Sequence, residues 1–97
     1  MPPAPPAKDR STIENAYLRA AASRLRENPR DLDALEAVGA YFLAHDKADE
    51  ALECFHRITR IDSAYPGIWR LKAKAFEAVG DRESADQCRR RGADRQS

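Results

Sequence analysis

From residue 11 onward apolar residues recur at steps of three and four, with polar residues filling the positions between them. Ile13, Tyr17, Leu18, Ala21 and Leu25 form the first such stripe, the spacing that lines up side chains on one face of a helix. Ser11-Thr12-Ile13-Glu14 has the Ser-x-x-Glu form of a capping box, in which hydroxyl and carboxylate satisfy the orphan donors of a helix start. A helix is therefore predicted over 11–28. Asn28-Pro29 ends it, because proline disfavours helix in the residue before it and cannot continue the ladder.

Four more helices follow from the same reasoning. Asp31 is a good cap for a helix over 31–44, with Leu35, Val38, Tyr41 and Phe42 inward. Asp46 is the expected cap of a third helix over 46–61, which turns Ala48, Ala51, Leu52, Phe55, Ile58 and Ile61 to the core. Only a couple of residues link these two, so they must be antiparallel neighbours. Ser63-Ala64-Tyr65-Pro66-Gly67 is the next break, and Pro66 suits the first turn of a fourth helix over 66–79, where its missing donor does no harm. Its inward set is Ile68, Trp69, Leu71, Ala73, Phe76 and Val79. Gly80-Asp81 supplies a turn and a cap for a fifth helix over 81–92. Gly39, inside the second helix, costs about 1 kcal/mol relative to alanine, which predicts a close helix approach there.

The helices fall into a repeat. Leu35 and Trp69, Gly39 and Ala73, Phe42 and Phe76, Ala51 and Ala85, and Cys54 and Cys88 each stand 34 residues apart. A fixed period of large and small apolar residues marks one supersecondary unit built twice and stacked. The second copy is altered at its end: Ala85 and Cys88 are the only inward residues of the fifth helix. Arg82, Arg89, Arg90 and Arg91 stand where its counterpart has Ala48, Phe55, His56 and Arg57. A stack needs a polar outer face on its terminal helix, and this helix has one.

Leu35-x2-Val38-Gly39-x2-Phe42, then Ala51-x3-Phe55, then Ile58 and Ile61, resembles one tetratricopeptide repeat (TPR), whose pattern runs W-x2-L-G-x2-Y, A-x3-F, P within 34 residues. Trp69-x2-Lys72-Ala73-x2-Phe76, followed by Gly80 and Ala85, resembles a second, terminal one. Lys72 departs from the pattern in place of an apolar residue, Arg89 in place of an aromatic and Ser63 in place of the usual proline. The resemblance covers residues 11–92. It implies an all-α fold: antiparallel helix-turn-helix repeats stacked as a short right-handed superhelix, a TPR-like α-solenoid of about five helices. The domain divides into an N-terminal helix at 11–28, repeat 1 at 31–62 and repeat 2 at 66–92. The N-terminal helix is either half of a decayed repeat or a cap.

In this family the first helix of each repeat lines a concave groove that grips extended peptides or a helix of a partner. Carried onto this chain, that face comprises Asp33, Glu36, Ala40 and Leu43 from the second helix and Arg70, Lys74 and Glu77 from the fourth. Arg70 and Lys74 stand one turn apart, a spacing that lets them share one carboxylate or phosphate; alternatively Lys74 pairs with Glu77 in solvent. The subgroup that holds acidic chaperone tails uses a Lys, Asn and Arg clamp over three repeats. Glu36 and Ala40 stand where its first Lys and Asn would fall, so that activity is not implied.

Composition narrows the remaining options. Four of the six prolines lie in the first six residues, so a disordered, polyproline-like tail is expected over 1–10 and a second disordered tail over 93–97. Neither an apolar run of membrane-spanning length nor the apolar core of a signal peptide occurs, and the expected location is cytoplasmic. The net charge of +1 conceals an acidic middle, with three basic and eight acidic residues over 31–62, between basic flanks.

Little in the chain points to chemistry. Cys54 and Cys88 are equivalent packing thiols by their period, and stacked helices hold alpha carbons too far apart for a disulfide. His45 and His56, with Cys54 and Asp46, are the only conceivable metal set, but Cys54 and His56 point to different faces of one helix. Phosphate loops, nucleophile elbows and paired catalytic carboxylates are missing, and the Arg89-Arg90-Arg91 run shares its helix with Asp81, Glu83 and Asp86 on a near-neutral chain. No enzyme, cofactor, metal or nucleic-acid function is expected. The reading is a non-catalytic protein-interaction module or adaptor that holds a peptide or helical segment in a groove. Its alternative is a small structural subunit or self-associating scaffold that buries its open ends.

Overall fold

The computed structural model describes residues 10–96, with side chains over 16–93. Five α-helices succeed one another: α1 (Arg10–Glu27), α2 (Leu32–Ala44), α3 (Ala48–Ile61), α4 (Ile68–Ala78) and α5 (Arg82–Gln96), with no strand among the described residues. Each helix packs on the next in sequence. The result is an elongated all-α stack of 58 × 31 × 23 Å. The tail expected over 1–10 lies outside the described residues up to Asp9. Helix α1 already contains Arg10 and Ser11, so Ser11 does not start it as the capping box implied; the side chains of Ser11 and Glu14 are outside the described set. At the other end α5 runs on to Gln96, past the expected boundary at 92 and through most of the second expected tail.

The period is written into the links as well as the helices. Between α2 and α3 the Phe42 carbonyl accepts from the Lys47 N–H at 2.9 Å, and between α4 and α5 the Phe76 carbonyl accepts from the Asp81 N–H at 2.9 Å. Both links turn on a left-handed residue, Asp46 at φ 60° and Gly80 at φ 85°, a conformation that glycine adopts freely and aspartate tolerates. Asp46 therefore turns the chain and does not cap α3. Lys47 holds the N-cap position with no side-chain capping bond. Asp81 does cap, accepting from the Ser84 N–H at 3.1 Å and the Ser84 hydroxyl at 2.7 Å.

The other pair of links matches too. Asn28 Oδ1 accepts from the Arg30 N–H at 3.1 Å and Asp62 Oδ1 from the Ala64 N–H at 2.9 Å. The Asn28 carbonyl accepts from the Asp31 N–H, and the Asp62 carbonyl from the Tyr65 N–H. Residues 28 and 62 are one period apart, so the α1–α2 link is built like the α3–α4 link. In its link to the next helix, α1 thus corresponds to α3. Asp31 caps α2 as expected, taking the Ala34 N–H at 3.0 Å and both arms of Arg24 at 3.0 Å. Pro66 does not enter α4. Gly67 beside it takes φ 77°, which a right-handed helix cannot contain, so the helix begins only at Ile68.

Phe55, Leu35, Ile58 and Ile68 are the largest fully buried side chains and belong to one core cluster with Trp69, Ala73, Ala85 and Cys88. Gly39 explains itself here: a Cβ on it would lie 2.5 Å from Phe55 Cε1. Two residues expected inward are not. Tyr17 is 65% exposed, because α1 buries its stripe around Ala21, against Ala34, Val38 and Cys54, and Tyr17 lies beyond that contact. Val79 is 42% exposed, because it is the C-cap of α4 and has left the helical face. Tyr41 is half-buried and stacks on His45 at 4.1 Å between ring centroids.

His56 is half-buried edge-on to Phe76, 6.0 Å between centroids. Burial, and then the charges of Lys72 and Arg60, hold its pKa below the ordinary 6.5. Because the unfolded chain takes up this proton at a higher pH than the fold does, the contribution is complete above about pH 6.5 and is lost as pH falls through that value towards the lower folded pKa. Urea midpoints are expected to drop between about pH 7.5 and 5.5, and the drop should shrink in His56→Gln. An unchanged pH profile in that variant would remove His56 as the cause.

Candidate protein-binding groove

The fifth helix cannot fill the space that the third fills. At one period's remove, Phe55 becomes Arg89, Ile58 becomes Gly92 and Thr59 becomes Ala93. In the first unit those bulky positions of α3 close over Leu35 and the core. In the second they leave a groove of about 610 Å³ between α4 and α5, floored by Trp69, Ala73, Cys88 and Gly92. Residues 64–67 of the α3–α4 link also line it. Arg70, Lys74 and Glu77 from α4 and Arg89 from α5 stand on the walls.

Trp69 supplies the missing bulk. It is 7% exposed, its indole N–H donates to the Ser63 carbonyl at 2.9 Å, and its Cβ would be 3.3 Å from a Cβ on Gly92. Lys72 Nζ lies 4.6 Å and the Arg91 guanidinium 5.0 Å from the ring centroid, distances at which cations are attracted to an aromatic face. This accounts for Lys72 at an otherwise apolar position. It is buried with Nζ 3.5 Å from Thr59 Oγ1, and burial lowers its pKa, with Cys88 opposing the shift and Arg91 adding to it.

Of the seven residues expected on one concave face, the groove brings together three: Arg70, Lys74 and Glu77. Asp33, Glu36, Ala40 and Leu43 do not line it. Leu43 packs against the core, and Ala40 is exposed. Asp33 is tied to the groove's lip, accepting from the Tyr65 hydroxyl at 2.9 Å. Burial, that hydrogen bond and the charges of Glu36, Asp33 and Asp31 raise the Tyr65 pKa well above the phenol range. Lys74 does not pair with Glu77 either. Arg89 takes Glu77, together with Asp86 at 2.6 Å.

Sequence reasoning did not place Tyr65, Trp69, Ala73, Arg89 or Gly92 at a site. The signal was present in the register, since reading Arg89 and Gly92 against Phe55 and Ile58 marks a lost wall. The arginine run is engaged internally: Arg89 with Glu77 and Asp86, Arg90 with the Asp86 carbonyl at 3.4 Å, and Arg91 with Trp69.

Cys54 and Cys88 are free and buried. Burial raises both thiol pKa values, with nearby cations opposing it, Arg57 at Cys54 and Lys72 and Arg91 at Cys88. Among the described residues no group of three His, Cys, Asp or Glu side chains is placed to hold a metal ion, and no helix is long and apolar enough to cross a membrane. No protein-family model, curated protein or solved structure matches the chain.

Proposed function

We propose that this chain is a non-catalytic protein-interaction module of the tetratricopeptide-repeat kind, which holds a peptide or helical segment of a partner. The observation that carries the reading is the α4–α5 groove. It has an apolar floor of Trp69, Ala73 and Cys88 and charged walls of Arg70, Lys74 and Arg89, the mixture of buried anchor surface and polar rim that binding sites use. The period of 34 residues in helices and links, with small residues at Gly39, Ala51, Ala73 and Ala85, supports the repeat assignment.

The test is partner capture from the native cell with the wild type, Glu36→Lys and the double variant Arg70→Glu/Lys74→Glu. All three changed positions are polar and lie outside the core, so the variants are expected to fold. Capture of the same partner is expected to fall about tenfold or more in the double variant, the scale of reversing charges beside a bound segment, and to fall less in Glu36→Lys, which lies off the groove. Full capture by the double variant would exclude this groove.

A further inference from the structure

The groove repeats the positions on which α4 sits in the first unit. In the first unit, Leu35, Phe55 and Ile58 are buried in one cluster with Ile68 of α4, Thr59 meets Lys72 of α4, and His56 meets Phe76 of α4. Moved by one period these acceptor positions become Trp69, Arg89, Gly92, Ala93 and Arg90, of which all but Arg90 line the groove. The surface that receives α4 in the first unit is thus repeated in the second, where no described element covers it. An extended peptide needs backbone hydrogen-bonding partners along its length, whereas a helix satisfies its own and needs only an apolar bed with side-chain flanks.

The charges select the occupant. Of the four charged side chains on the walls, Arg89 is paired with Glu77 and also with Asp86, which leaves Arg70 and Lys74 to set the sign. Among the described residues no ion pair involves Arg70 or Lys74. Stacking a second copy end to end would bring its α1, whose described charged side chains are Arg19, Arg24 and Arg26 against Glu27, with Arg24 paired to Asp31. That sets like charge on like charge. We infer that the open end of the stack between α4 and α5 docks an amphipathic helix of a partner protein, apolar on the face that meets Trp69 and acidic on its flanks. This rests on the protein-binding reading above and names the partner's chemistry.

Trp69 is the chain's single tryptophan and reports from the floor of the groove. The probe is a capped peptide of about 15 residues, the length at which an isolated helix begins to be populated. It carries Ile, Leu, Ala and Phe in the places of Ile68, Lys72, Ala75 and Phe76, glutamates at the outward positions and no tryptophan. A twin has lysines for the glutamates, and a third peptide has a central proline that breaks the helix.

Saturable change in Trp69 fluorescence is expected with the acidic peptide, about tenfold weaker binding with the lysine twin, and reversal of that order on Arg70→Glu/Lys74→Glu. The proline peptide should lose binding. Equal binding of the proline peptide would overturn the helical seat while leaving the protein-interaction reading intact. Equal binding of the two charge forms would overturn the acidic assignment. No binding of any peptide would overturn the inference as a whole, and partner capture by the full chain then decides the broader reading separately.

Discussion

Phe55→Ala is expected to lower the unfolding free energy by about 3 to 5 kcal/mol, the range for deleting a buried phenylalanine ring. A domain of this kind has roughly 5 to 15 kcal/mol in all, so the variant should sit near the edge of folding. Phe55 is fully buried and its ring lies against Gly39, where a Cβ would come within 2.5 Å of Cε1. That contact yields a sharper test than the single change. Gly39→Ala should destabilise the wild type, because the ring and the new methyl claim the same space. In the Phe55→Ala background the same substitution should stabilise, by up to about 1 kcal/mol, because only the helix preference of alanine over glycine remains. Urea midpoints at constant slope would measure the four corners of this cycle. Equal effects of Gly39→Ala in both backgrounds would show that Phe55 does not set the glycine.

Four helices were legible from their apolar stripes and the fifth from the 34-residue period, and three of the four breaks carry proline or glycine. The close approach at Gly39 was legible for the same kind of reason: a glycine inside a helix has a cost that only a neighbour explains. The starts of α3 and α4 were not. Asp46 followed by an apolar stripe has the composition of a cap, yet its backbone is left-handed at φ 60°, matching Gly80 one period later. Comparison of the two copies would have shown this, since a position that is glycine in one link is a poor place for a cap in the other. Pro66 misled for a related reason, because Gly67 after it takes the left-handed turn and delays the helix.

The groove was half legible. Arg70, Lys74 and Glu77 were placed by carrying a family's concave face onto α4, and they do stand together. Asp33, Glu36, Ala40 and Leu43 came from the same transfer and belong to the first unit, outside the α4–α5 groove. In the first unit Phe55 and Ile58 fill the space beside Leu35, and in the second Arg89 and Gly92 leave it empty. Polarity at Arg89 was read as a finished outer surface, whereas its side chain reaches across to Glu77 and leaves the floor beneath it open. A one-dimensional pattern records that a residue is polar, and the direction of a long side chain is decided by the partner it finds.

Trp69→Ala is expected to cost about 3 to 5 kcal/mol as well, and the reason differs from that at Phe55. Leu35, its counterpart, is fully buried beside Phe55 and Ile58, whereas Trp69 reaches 7% exposure over Arg89 and Gly92. The indole therefore replaces bulk that α5 does not supply. Trp69→Leu, which installs the residue of the first unit, should forfeit roughly half of the alanine loss, because the cavity is only partly refilled. It also removes the ring beneath Lys72 and Arg91, leaving the buried ammonium of Lys72 with Thr59 alone. Lys72→Met should then gain more stability in the Trp69→Leu background than in the wild type, since an apolar isostere relieves a buried charge that has lost its aromatic partner. Thermal unfolding followed by circular dichroism reads all five proteins, wild type included, without relying on the lost fluorophore. Wild-type melting of Trp69→Ala would place the ring outside the core, and equal gains from Lys72→Met in both backgrounds would show that the ring does not hold the cation.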